Sequence, residues 1–166
     1  MLAAYGRQYG MRGAYVLPVN LYGPWDNFDP ESSHVVPALI RKCAEAKQRG
    51  DAKIVCWGTG TATREFLYVD DAAAGIVRAA ETMHDPTPIN LGAGSEISIR
   101  DLVALIVKTT GFQGAIEWDT TKPDGQPRRS LDTSRAATLL GWKAKVGLEE
   151  GLQRTVAWYL EQGQGK

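Results

Sequence analysis

Cysteine is scarce in this chain. Only Cys43 and Cys56 occur, neither has a histidine beside it, and their separation matches no metal-ligand spacing. A disulfide framework is therefore not the expected organising device, and the pair reads as reduced structural thiols in a reducing compartment. An excess of one charge is also lacking: Lys plus Arg and Asp plus Glu both total 19. Bulk attraction to nucleic acid is not expected, so any phosphate binding must rest on a few placed cations. No apolar run approaches the roughly 20 residues of a membrane span. The opening MLAAYGRQYGMRG lacks the apolar stretch of a secretory signal. The expected location is cytoplasmic, without a membrane partner. No internal repeat is found, and only the closing QGQGK reads as a frayed tail. What is present is 166 residues, 43% of them hydrophobic, enough for a single domain that buries about 70% of its unfolded surface.

Residues 1–9 carry the last turns of a helix, stopped by Gly10 and Gly13 and preceded by no cap. Residues 14–19 (AYVLPV) read as a buried strand, and 20–33 as a polar loop. Ser33 is placed to cap a helix with Pro37 in its first turn, running to about Arg49. Strands follow at 53–57 and 64–69, then a helix opened by Asp70-Asp71, whose charge suits the helix dipole. Its apolar side is expected to be Ile76, Val77, Ala80 and Met83. After a strand at 88–91, Ser98 and Asp101 form a capping-box pattern for a helix bearing Ile99, Leu102, Val103 and Ile106. A strand at 115–118 precedes a polar loop at 119–131. Helices near 133–140 and 147–162 close the chain, with Leu148, Leu152, Val156 and Tyr159 along one side of the second. Strands alternating with helices imply an α/β layer structure. The short strands and long polar loops are too irregular for a self-sufficient doubly wound sheet.

Two glycine pairs follow strands, Gly58/Gly60 and Gly92/Gly94. Each resembles the start of a dinucleotide fingerprint, but Thr63 and Ile97 stand where its third glycine would be. Turn glycines are the expected reading. Three other segments carry chemistry. The first runs from Pro18 through Asn20 and Leu21 to Ser33-His34, where a strand ends at the sheet edge that binds ligands in α/β folds. His34 there either exchanges a proton near neutrality or merely helps cap the helix. The second is Lys42, Trp57 and Arg64: an indole face for a base and a guanidinium for a diphosphate, or else a core tryptophan and solvated cations. The third is the loop of Lys122, Asp124 and Arg128, restricted by Pro123, Gly125 and Pro127, which reads equally as a solvated charged loop. His84 has no evident partner and receives no role.

Taken in order, NLYGPWDNFDPESSHVVPALIRK, WGTGTATREFLYVDD, INLGAGSEISIRDL and TKPDGQPRRSLD resemble the GDP-L-fucose synthase family of extended short-chain dehydrogenase/reductases. The closing GWKAKVGLEEGLQRTVAWYLEQ is similar to the tail of many sugar-nucleotide epimerases. The resemblance implies an α/β fold: the C-terminal, substrate-binding part of an extended enzyme, with a few strands belonging to an absent Rossmann sheet. It implies one partial unit over 1–166, lacking the dinucleotide-binding domain. By the same resemblance His34 matches the family's proton-donating histidine and also lies at the cofactor. Pro18, Asn20 and Leu21 lie beside the nicotinamide, and Lys42, Trp57 and Arg64 contact the GDP-sugar. Lys122, Asp124 and Arg128 approach the same nucleotide. No metal is implied.

The family's glycine-rich cofactor loop, catalytic cysteine and Tyr-x-x-x-Lys pair have no counterpart here, and Cys43 and Cys56 do not match that cysteine's setting. The resemblance thus implies NADP(H) in the complete enzyme but no tight cofactor binding by this chain, a GDP-sugar partner, and a homodimer only in the intact enzyme. The expected function is the GDP-sugar-binding portion of an NADP-dependent 3,5-epimerase/4-reductase, inactive alone. Alternatives are part of another nucleotide-sugar 4-epimerase or 4,6-dehydratase, or a non-catalytic nucleotide-sugar-binding module.

Overall fold

The computed structural model describes residues 1–84 and 86–163, so the last residues of the QGQGK tail lie outside the described residues. In chain order the elements are α1 (Leu2–Tyr9), β1 (Tyr15–Pro18), β2 (Asn20–Tyr22), α2 (Val35–Arg49), β3 (Lys53–Trp57), β4 (Thr63–Arg64), β5 (Phe66–Tyr68) and α3 (Val69–Thr82). They continue with β6 (Pro88–Leu91), β7 (Ile97–Ser98), α4 (Ile99–Thr110), β8 (Ala115–Asp119), β9 (Arg128–Arg129), a π-helical turn (Ala136–Leu140) and α5 (Leu148–Gly163). The fold is mixed α/β, as the alternating pattern leads one to expect. Where the sequence is read as one unit, the backbone divides into two: residues 1–21, 65–95 and 130–147, and residues 22–64, 96–129 and 148–166.

In the first unit β1 pairs in parallel with β6, from Tyr15 opposite Pro88 to Pro18 opposite Leu91, and β2 pairs with β5. A core of Val19, Leu67, Ala72, Ala79, Ile89, Leu91, Leu140 and Trp142 joins them to α3. Two sequence expectations are corrected here. Of the residues expected on the buried side of α3, Met83, just past its end, is in the core, but Ala80 is exposed and Ile76 and Val77 are 44% and 57% exposed. The helix instead turns Ala72, Gly75 and Ala79 inward, because the Trp142 ring and Leu91 already fill the space above Gly75. Nor is β1 buried, since Tyr15 and Leu17 are exposed. β1 pairs with β6 alone among the described strands, and a two-stranded sheet leaves apolar surface uncovered.

Two buried carboxylates fasten the loops of this unit. Glu65 is fully buried; its Oε1 accepts from the Gly94 amide at 2.7 Å and its Oε2 from the Leu131 amide at 2.9 Å. Asp71 Oδ2 accepts from the amides of Lys145 and Val146, which supports the structural reading of Asp70-Asp71. His84, expected to be without a partner, has one: Arg12 Nη2 lies 2.5 Å from its Nε2.

In the second unit β3 pairs in parallel with β8, from Lys53 opposite Ala115 to Trp57 opposite Asp119. Helices α2, α4 and α5 pack on one another, and α2 also packs on β3. Val36, Leu39, Ile40, Cys43, Ile54, Cys56, Leu102, Val103, Ile106, Leu152 and Val156 are buried there, so the apolar faces read for α4 and α5 hold. Burial pushes the Cys43 thiol up to about 11, as suits a structural cysteine. Ser98 caps α4 as its spacing requires, its Oγ accepting from the Asp101 amide at 3.0 Å. Ser33 does not cap α2. The N-cap is His34 without a side-chain bond, and Ser33 Oγ is buried with no hydrogen-bond partner among the described residues.

Three short strands fall in segments read as loop or as one continuous strand. β4 lies between β7, antiparallel to it, and β9, parallel to it. This small sheet joins the turn after β3 to the charged loop after β8, and the candidate site is built there.

Candidate functional site

The turn between β3 and β4 has the sequence Gly58-Thr59-Gly60-Thr61-Ala62. Gly58 and Gly60 hold left-handed φ values of 76° and 74°, which side-chain-bearing residues rarely adopt. A Cβ on Gly60 would meet the Trp118 ring at 2.5 Å, and one on Gly58 would collide with the Asp124 carboxylate. These are turn glycines filled against side chains, leaving no cradle for a pyrophosphate. Gly92 and Gly94 belong to the loop fastened by Glu65. Neither pair forms a dinucleotide loop.

Arg100, at the start of α4, holds this turn from one side. Its Nη2 donates to the Thr59 carbonyl at 2.6 Å, its amide donates to the Gly60 carbonyl, and its guanidinium lies 4.8 Å from the Trp118 ring centroid. The loop at 119–129 holds it from the other. Asp124 Oδ1 accepts from the Thr59 amide at 2.6 Å, and Oδ2 from the Thr59 hydroxyl at 2.7 Å. Those two bonds, the hydroxyl one first, lower the Asp124 pKa below its ordinary 3.8. Further along, the Thr63 amide donates to the Pro127 carbonyl, and Arg128 pairs with Glu96, which also accepts from the Thr63 hydroxyl.

Trp57 and Arg64 stand at the two ends of this turn, and the same loop reaches both. Trp57 is 68% exposed, with Lys122 Nζ 5.7 Å from its ring centroid. Arg64 Nη1 donates to the carbonyls of Thr63 and Gln126, both at 2.7 Å. This fixes the guanidinium while its Nε and Nη2 edge has no partner among the described residues. Such an edge matches two phosphate oxygens with parallel hydrogen bonds, each charge-assisted bond contributing about 1.5–3 kcal/mol. An exposed cation over an aromatic ring contributes about 0.5–1 kcal/mol, whereas a stacked base contributes about 1–3 kcal/mol. A base would therefore win the indole face from Lys122.

The structure thus brings together Trp57, Arg64, Lys122, Asp124 and Arg128. Asp124 and Arg128 differ from expectation in what they face: both are turned to protein partners that shape the loop. Lys42 extends from α2, and its Nζ donates to the Val55 carbonyl at 2.7 Å. His34 is exposed at the start of α2, and its imidazole has no hydrogen-bond partner among the described residues. The preceding loop is closed by Asn27 donating to Ser32 and by Asp29 accepting from the amides of Glu31 and Ser32.

Pro18, Asn20 and Leu21 belong to the first unit. Pro18 ends a parallel strand, the position where α/β sheets meet ligands. Asn20 Nδ2 is taken by the Glu65 carbonyl at 2.8 Å, leaving Oδ1 as its acceptor. A proline, a leucine and one amide oxygen fit one side of a nicotinamide.

Sequence reasoning missed Thr59, Glu96, Arg100, Trp118 and Glu65. The local signal was a threonine between two glycines, because apart from Thr61 beside Thr59 the partners of these side chains are distant in sequence.

Comparison with known proteins identifies the family. The profile of the NAD dependent epimerase/dehydratase family matches residues 1–92. A probable GDP-L-fucose synthase 1 of Oryza sativa subsp. japonica is 47% identical over 161 residues, covering 97% of this chain and 49% of that protein. The GDP-L-fucose synthase of Escherichia coli K12 is 44% identical, covering 95% and 52%. Among solved structures, a GDP-L-fucose synthetase from Naegleria fowleri bound to NADP superposes with a TM-score of 0.81 at 33% identity, covering 90% of this chain and 47% of that one. A UDP-glucose 4-epimerase from Thermotoga maritima gives 0.81 at 28% identity, covering 96% and 49%. The chain spans about half the length of the curated relatives it matches. With its mixed α/β fold, its turn glycines and its similarity to GDP-L-fucose synthases, the chain belongs to the NAD dependent epimerase/dehydratase family and represents part of a Rossmann-like extended short-chain dehydrogenase/reductase.

Proposed function

We propose that this chain is the GDP-sugar-binding portion of a GDP-L-fucose synthase-like enzyme. The complete enzyme would be an NADP-dependent 3,5-epimerase/4-reductase acting on GDP-4-keto-6-deoxy-D-mannose. The observation that carries the reading is the Trp57–Arg64 turn: an exposed indole at one end and, at the other, a guanidinium fixed through Nη1 with its Nε–Nη2 edge open. In this reading Trp57 stacks the base, Arg64 takes the diphosphate, and Lys42 and Lys122 add positive charge near it. His34 holds or moves a proton at the carbon next to the substrate ketone, help that is typically worth about 10²–10⁴ in rate. Pro18, Asn20 and Leu21 would hold the nicotinamide end of NADP(H), which supplies hydride when bound. The whole of 1–166 then acts as one partial unit, and homodimerisation belongs to the complete enzyme.

The described residues contain no glycine cradle for the cofactor's pyrophosphate, so the chain alone is expected to have no reductase activity and no tight NADP(H) binding. The likeness to a UDP-glucose 4-epimerase supports one second reading, part of an epimerase or dehydratase for another nucleotide sugar. Thermal unfolding with GDP, UDP and ADP separates the two. Protection by GDP above the others is expected; stronger protection by UDP would transfer the chain to the second reading, and protection by none would remove nucleotide binding altogether.

A further inference from the structure

Lys122 occupies the Trp57 face by itself, and its surroundings restrict how it can leave. The Lys122 amide donates to the Asp119 carbonyl at 3.2 Å, and Thr121 donates to Asp119 Oδ1 through its amide and its hydroxyl. Two residues further on, Asp124 is fastened to Thr59 by both carboxylate oxygens. The backbone on either side of Lys122 is therefore pinned, so the lysine side chain rotates while the loop stays in place.

We propose that Lys122 is a displaceable cover that sets how the site divides its affinity between base and phosphate. Without ligand, its ammonium sits over the Trp57 indole. A purine that stacks on the indole expels it, since base stacking outweighs an exposed cation over the ring. Arg64, at the other end of the same turn, fixes where the diphosphate must lie. The expelled ammonium has a flexible stem on a fixed backbone and turns to that diphosphate. The cover thus opposes a bare nucleoside and favours a nucleoside diphosphate, selecting for the phosphorylated form. This rests on the nucleotide-binding reading above and deepens it.

The test titrates the whole chain with guanosine and with GDP, comparing wild type, Lys122→Ala and Lys122→Arg. The readout is binding calorimetry together with the Trp57 indole N–H signal, assigned with Trp57→Phe. Lys122→Ala is expected to bind guanosine about threefold more tightly, as the ring contact to be displaced is gone. It should bind GDP about tenfold more weakly, for loss of one charge-assisted contact. Lys122→Arg should keep the preference for GDP. Without ligand, the Trp57 signal should already differ between the wild type and Lys122→Ala. Unchanged or equally changed affinities for guanosine and GDP would overturn the assignment of Lys122 and leave the nucleotide reading intact. Failure of the wild type to bind GDP would overturn both.

Discussion

The loop at 26–33 and the loop at 119–129 are both polar, rich in aspartate and punctuated by proline, yet they differ in how far their polar side chains reach. In the first the polar side chains bond within the loop, Asp26 to Asn27, Asn27 to Ser32, and Asp29 to Glu31 and Ser32, while Phe28 anchors it by stacking on Tyr159 and by accepting from Arg41 through its carbonyl. The second is held by remote partners, Asp124 by Thr59, Arg128 by Glu96 and the Gln126 carbonyl by Arg64. The carboxylates of the first loop bond only its own residues and so shape the loop itself. A loop fastened to another segment transmits its position to that segment, and the second loop is the one that meets Trp57 and Arg64. Glu65, in the first unit, extends the remote class to a buried position.

The largest effect should come from Glu65→Ala, which empties a fully buried side-chain site and leaves the amides of Gly94 and Leu131 without their acceptor. The expected loss is about 3 kcal/mol or more, read by chemical denaturation. Glu65→Gln, which keeps one acceptor, should cost less. A loss below about 1 kcal/mol for the alanine variant would show that Glu65 does not fasten these loops. Next in size is Asp124→Ala, read by ligand binding because the carboxylate lies at the surface. With the clamp on Thr59 gone, the Lys122–Trp57 contact should loosen and GDP affinity should fall about tenfold. Asn27→Ala, in the first loop, should change GDP affinity less than twofold. Equal effects from the two variants would erase the difference between the loops.

Acid should treat the two loops alike. Hydrogen bonds donated to Asp29 and to Asp124 place both pKa values below the ordinary 3.8. A depressed carboxyl pKa contributes stability that is complete above the unfolded value and is lost as pH falls through the folded one. Both clamps should therefore hold at pH 5 to 8 and open only below about pH 4, followed by amide exchange at Thr59 and Glu31. Release of either near pH 6 would contradict these assignments. The smallest effect concerns two serines each placed just before a helix. Ser98→Ala should cost about 1 kcal/mol as a true cap, whereas Ser33→Ala should be within about 0.5 kcal/mol of neutral, since its hydroxyl has no partner among the described residues.

Those serines also show how far the sequence could be read. Ser98 has Asp101 three residues on and caps as its spacing requires; Ser33 has no such partner, and the helix starts one residue later. Helical period located α3 but chose the wrong face, because period and bulk favour Ile76 and Val77 while contact with Trp142, distant in sequence, decides that the small residues turn inward. β2, β7 and β9 each have two or three residues, too few for alternation to register, and exist only through their remote partners. The candidate binding residues were legible as residue types within recognisable segments. Their supports at Thr59, Glu96 and Arg100 were not, since nothing local distinguishes them from other surface polar residues.

The central claim is that the Trp57–Arg64 turn binds a guanosine diphosphate. Calorimetric titration of the chain with GDP, for wild type, Arg64→Ala and Trp57→Ala, tests it most directly. The account predicts saturable one-to-one binding, weakened at least tenfold by Arg64→Ala and also reduced by Trp57→Ala, with both variants retaining the wild-type unfolding midpoint. GDP affinity unchanged in both variants, or no binding by the wild type, would contradict it.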